Sequence, residues 1–206
     1  MQSAFSLVEM VVVISILVIL MTAGVSLLNG TSAQSRKAAT DMLGGLIDQA
    51  RTTATISRTE ILMVIAEPGD LPFGDERSRV GLFRKRAPVE GQPDKYDLLS
   101  RWQLLNTGVI LIGGKTDDLR NPLDEPKTNI VYGPANREVT INVHAISISS
   151  RGALVLPKGS DPIAFRIAEG AYRSGTASPN THDGGKIISE NRLKIGRVTA
   201  RPYRID

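Results

Sequence analysis

The 206-residue chain contains no cysteine, two histidines, one tryptophan and only 4 % aromatic residues. Without cysteine there is no disulfide framework, no thiolate metal site and no thiol redox chemistry. Two histidines, His144 and His182, are too few for an ordinary zinc site in a chain that has no thiol. Nineteen glycines and eleven prolines punctuate the chain, which predicts short strands joined by many turns.

Charge is missing from one long stretch. After Glu9, the residues Met10 to Leu28 carry none, and most of them are apolar. About 20 apolar residues at a rise of roughly 1.5 Å each suffice to cross a bilayer, so this run predicts a membrane-spanning helix. A carboxylate at the head of such a run is costly unless it has a partner and a task. An ordinary secretory signal differs, with basic residues in front of a shorter apolar core of about 7–15 residues.

Ala4-Phe5-Ser6-Leu7-Val8-Glu9 and the apolar run behind it resemble the processing site of type IV pilins and type II secretion pseudopilins. That resemblance implies cleavage after Ala4 by a prepilin peptidase, N-methylation of Phe5, and an assembly role for Glu9, which would meet the amine of a neighbouring subunit. It implies other pilin subunits, the peptidase and an inner-membrane assembly platform as partners. The location it implies is a single-pass inner-membrane protein with a periplasmic domain, later part of a filament. Two residues depart from the pattern: Ala4 stands where glycine is usual, and Met1-Gln2-Ser3 carries no basic residue. The expectation is therefore a start upstream of Met1 or slow cleavage.

Beyond Thr31 the helical spacing resumes in Ala39, Met42, Leu43, Leu46, Ile47, Ala50 and Ala54, leaving Asp41, Asp48, Gln49, Arg51 and Thr52 largely on the other face. One helix is predicted from Phe5 to Arg58. Strands are predicted at 60–66, 79–86, 96–105, 109–112, 139–149, 153–156, 163–167, 187–188 and 193–203. The stretches 113–137 and 171–185 have little hydrophobic pattern and read as long loops. The resulting division is a leader (1–4), an apolar helix half (5–28), an amphipathic half (29–58) and a β-rich globular domain (59–206). The expected fold class is α+β and pilin-like: a long N-terminal helix, membrane-spanning in its first half, packed on an antiparallel β domain of one or two sheets. Ala50-Arg51, Arg58, Ser150-Arg151-Gly152 and Ile195-Gly196-Arg197-Val198 are similar to the minor pseudopilin H and FimT-like group, which favours a minor subunit.

Catalytic motifs fail on inspection. Gly113-Gly114-Lys115-Thr116 lacks the first glycine of a phosphate loop at the required spacing, and His182-Asp183 has no nucleophile elbow nearby. Asp117, Asp118, Asp124 and Glu125 form the one acidic group suited to a hard cation, but their spacing matches no known loop. No enzyme activity, cofactor or metal is assigned. The charge of +4 resides at the C-terminal end, where Lys186, Arg192, Lys194, Arg197, Arg201 and Arg204 face only Glu190 and Asp206. On a continuous strand, Arg192, Lys194, Arg197, Arg201 and Arg204 form a DNA-binding candidate for a DNA-uptake pilus; the competing reading is a solvated strand face.

Overall fold

The computed structural model describes residues 7–71, 76–114, 119–134, 136–182 and 184–205, and within these no side chains of 7–9 and 18–32. The chain divides into two compact units, Met1–Gln34 and Ser35–Asp206.

Helix α1 runs Leu7–Ser57, and Arg58, in the left-handed region at φ 52°, ends it. In the first unit its described side chains are those of Met10–Leu17, Ala33 and Gln34, every large apolar one exposed. Among the described residues no helix is long and apolar enough to cross a membrane. This overturns the expected membrane-spanning half and the expected single-pass inner-membrane location.

In the second unit the helix is amphipathic. Ala39, Leu43, Leu46, Ile47, Ala50 and Ala54 are buried at three- and four-residue intervals, while Asp41, Asp48 and Gln49 are exposed. The expected α+β class is corrected as well, because strands dominate and one sheet closes on itself.

That closed sheet contains β1 (Ile61–Ala66), β2 (Arg79–Lys85), β3 (Lys95–Leu98), β6 (Thr128–Tyr132) and β7 (Val139–Ile148). The pairings run β1–β2, β2–β3, β3–β6, β6–β7 and back from β7 to β1, which makes a five-stranded barrel. A ring of five strands cannot be antiparallel throughout, since direction must alternate. The β3–β6 pair is the parallel one. Two short strands, β4 (Gln103–Leu104) and β8 (Leu154–Leu156), pair with β2 and β7.

A second, five-stranded sheet is built on β9 (Ile163–Arg173), which pairs with β5 (Val109–Ile112), β10 (Thr176–Pro179) and β11 (Glu190–Ile195); β12 (Pro202–Ile205) lies outside β11. Four sequence expectations change across the two sheets. The strand expected over 193–203 is two strands joined by a turn, in which Ala200 adopts φ 44°. The stretch expected at 96–105 is likewise broken into β3 and β4. The expected loops 113–137 and 171–185 contain β6 and β10.

The main core joins the helix, one wall of the barrel and the second sheet in one buried cluster, to which the helix contributes Leu43 and Ile47, the barrel Met63, Leu82 and Ile146, and the second sheet Phe165, Leu193 and Ile195. The barrel has its own interior of Leu62, Val64, Phe83, Ile130, Ile141 and Val143. There Phe83 packs edge-on against Trp102 and Tyr132 at 5.5 and 5.2 Å. Gly81 makes room for this cluster, because a Cβ at that position would lie 3.1 Å from Trp102. Phe83→Ala is expected to lower unfolding free energy by about 3–5 kcal/mol, whereas exposed Val155→Ala changes it by no more than about 0.5 kcal/mol. Urea denaturation of the two variants measures both.

Candidate functional site

The N-terminal candidates are only partly visible. Ala4 and Phe5 lie outside the described residues, and Glu9 sits within α1 with its side chain outside them. Directly behind Glu9, Met10, Val11, Val12, Val13, Ile14, Ile16 and Leu17 are each 51–58 % exposed. At 3.6 residues per turn, this stretch presents apolar side chains in every direction. Its one polar member, Ser15, donates its hydroxyl to the Val11 carbonyl at 2.8 Å, so even that group is satisfied within the helix.

The five cations of the C-terminal candidate are not brought together. Residues directly opposite on paired strands share a face, so the register Lys194↔Tyr203 and Leu193↔Arg204 puts Arg192 and Lys194 on one face of the second sheet and Arg204 on the other. Arg192 Nε lies 2.8 Å from Glu190, and Lys194 Nζ sits 5.7 Å from the centre of the Tyr203 ring. Arg204 turns to the helix and pairs with Asp41 at 2.7 Å. Arg197 is turned inward, donating to the carbonyls of Pro157 and Asp161. Burial, together with the nearby Arg120 charge, lowers its pKa. Arg201 alone of the five is exposed with no side-chain partner among the described residues. The break at 196–201 is the physical reason: a turn reorients the side chains that an unbroken strand would have alternated.

The other candidates are also absorbed into local structure. Asp124 accepts the Gly114 amide at 2.7 Å and Glu125 pairs with Arg120, while Asp117, Asp118, Lys115 and Thr116 lie outside the described residues. His182 is an exposed loop residue, and Asp183 beside it is outside the described residues. His144 is buried on β7 with Nε2 3.6 Å from Glu67, whose carboxylate also meets Lys127 at 3.2 Å. The hydrogen bond to His144 holds Glu67 below the usual carboxylate range against the opposing effect of burial, and Lys127 adds to it. Among the described residues no group of three or more His, Asp or Glu could hold a metal ion.

What sequence reading missed is a set of long-range polar ties across the second sheet. Glu190 accepts from Arg166 at 2.6 Å and from Arg192 at 2.8 Å. On the helix side, Arg36 pairs with Glu169 at 3.2 Å, and Asn191 donates to Thr40 at 3.2 Å. Partners up to 163 positions apart, as in Arg204–Asp41, leave no spacing signal to read. No protein-family model matches the chain, and no curated protein or solved structure matches it.

Burial alone would raise the Glu190 pKa, but the two guanidinium groups override it and the net shift is downward. A carboxylate lowered in the folded state stabilises it fully above its unfolded pKa, about 4.3, and that contribution is lost as pH falls through the folded value. Wild type should therefore need more urea than Glu190→Gln at pH 7, and the gap should shrink steadily below about pH 4. A gap that stays constant with pH would separate this carboxylate from acid stability.

Proposed function

We propose that the chain is a structural subunit of a type IV pilus or type II secretion pseudopilus, cleaved after Ala4 and joined to other subunits through its N-terminal helix. The observation that carries this reading is the exposure of Met10–Leu17 on all sides of α1. A helix that is apolar all round does not remain in water; it is buried by other protein or by lipid. Burying a Val, Leu, Ile or Met side chain is worth about 1.5–3 kcal/mol, so these seven half-exposed residues offer on the order of 10 kcal/mol before the costs of association. Neighbouring helices of the same kind are partners able to cover every face at once.

The sequence adds the second support. The Ala4-Phe5-Ser6-Leu7 junction has the composition of a prepilin cleavage site, and Glu9 stands where an acid would receive the amine of the next subunit. Within a helical assembly an unpaired carboxylate is costly and a paired one much less so. Glu9 then favours one docking register over its neighbours.

Co-expression with a prepilin peptidase should yield a methylated Phe5 start by mass spectrometry; persistence of Met1 in the extracted protein would count against processing. Glu9→Val should leave urea unfolding of the globular unit unchanged and reduce cross-linking between adjacent helices severalfold. Ile14→Arg should abolish that cross-linking, since a charge would then enter the buried face. Unchanged cross-linking in both variants would remove the helix from assembly.

A further inference from the structure

Strand β12 ends the order of the second sheet and is hydrogen-bonded to β11 along one edge only. The Gly196 N–H donates to the Arg201 carbonyl at 3.1 Å, and hydrogen-bonded pairs alternate along an antiparallel ladder. With Ile195 opposite Pro202 and Leu193 opposite Arg204, the Pro202 carbonyl and both the N–H and carbonyl of Arg204 therefore point away from β11. An open edge is a template for another strand, and natural sheets guard such edges with charge. Here that charge is neutralised, because the Arg204 guanidinium pairs with Asp41 at 2.7 Å.

Beside that edge a cavity of about 440 Å³ opens between α1 and β12, with Lys37, Gly44, Gly45 and Asp48 on its helix wall and Pro202 on its strand wall. The two glycines give it width: a Cβ on Gly45 would meet nothing within 4 Å, and one on Gly44 would reach only Pro202 at 4.0 Å. Lys37 and Asp48 are exposed and have no side-chain partner among the described residues. They stand about three helical turns apart, roughly 16 Å at about 1.5 Å per residue. Two contacts fix the direction. Gly44 lies against Pro202 while Asp41 reaches Arg204, so β12 and α1 run in opposite senses. Lys37 thus lies beyond Asp41 toward the Ile205 end of β12, and Asp48 lies toward its Pro202 end.

We infer that this edge and its cavity receive an extended segment of a partner protein that carries an acid and, four residues further on, a base. A strand antiparallel to β12 runs in the same sense as α1, so its first residues meet Lys37 and its last meet Asp48. Side chains four positions apart in a strand share a face and lie about 14 Å apart at roughly 3.4 Å per residue, which brings one to each charge. The residue midway between them points at Gly44 and Gly45, where a branched aliphatic side chain has room. In this mode of recognition main-chain hydrogen bonds give affinity and the alternate side chains give specificity. A helical partner, with its own backbone bonds closed, would leave the β12 edge unpaired. The groove uses no residue of Met10–Leu17, and the inference does not depend on the filament reading.

Fluorescence anisotropy with the full chain in mild detergent at physiological salt tests it, using three labelled, end-blocked peptides: Glu-Thr-Val-Thr-Lys, the reversed Lys-Thr-Val-Thr-Glu, and the first peptide N-methylated at its valine, which removes an edge-facing N–H. The first should bind about tenfold more tightly than either of the others. Gly45→Leu should weaken that binding about tenfold or more by filling the cavity. Position 45 is exposed on the helix and leucine is the better helix former, so far-ultraviolet circular dichroism should be unchanged. Lys37→Glu/Asp48→Lys should invert the preference between the two peptide orders. Equal binding of both orders by the wild type, binding untouched by N-methylation or by Gly45→Leu, or absence of peptide binding would each overturn the proposal. So would self-association in sedimentation velocity that Gly45→Leu abolishes, which would make the occupant a second copy of the chain.

Discussion

Strand β1 is hydrogen-bonded on both edges and packed on both faces, and the globular unit is organised around that double constraint. Its two neighbours, β2 and β7, close the barrel through it. Ile61, Met63 and Ile65 face the core shared with the helix and the second sheet, while Leu62, Val64 and Ala66 fill the barrel. With every residue of the strand buried, no polar side chain can be admitted on either face without leaving an unsatisfied group in a close-packed interior. One short apolar run thereby forms the common wall of two cores.

The remaining charge distribution follows from where the strands leave room for ions. Inside the globular unit, arginines are spent on fastening: Arg166 and Arg192 on Glu190, Arg36 on Glu169, Arg204 on Asp41. Such pairs contribute modestly to stability when partly exposed, but their placement fixes how the helix lies on the sheet. The side chains left over gather where segments end rather than where strands run. A basic C-terminal sequence is thus largely divided among internal ties, with Arg201 left exposed, and net charge alone does not distinguish the two.

The legible parts of the fold are those where a local period survives. The helix face from Ala39 to Ala54 repeats every three or four residues, and its burial follows that pattern. In β7, Ile141, Val143 and Ala145 alternate with Asn142, His144 and Ile146, and the two sets serve different cores or the barrel surface. What stayed hidden has physical causes. β6 begins with Thr128 and Asn129, and its pairing comes from β7 rather than from its own apolar content. The turn at 196–201 interrupts an apparently continuous strand because Ala200 takes a left-handed conformation that residue type does not advertise. Hydropathy over Met10–Leu28 predicts a membrane span, whereas among the described residues no helix is long and apolar enough to cross a membrane. The candidate site suffered most, since contacts such as Asn191–Thr40 join residues 151 positions apart.

Closure of the barrel also sets the order in which the chain can be organised. Glu60, at the entrance to β1, meets Ser147 on β7 87 residues later, so the ring cannot be completed until the chain through β7 is available. The β1–β2 hairpin can form early, but β1 gains its second neighbour only after a long loop has been closed, and loop-closure entropy slows such non-local pairing. During synthesis, the free edge of that apolar strand is therefore open for the time needed to make those intervening residues. A nascent chain of this design depends on prompt arrival of β7, or on a chaperone that shields the β1 edge, to escape pairing with another copy of itself.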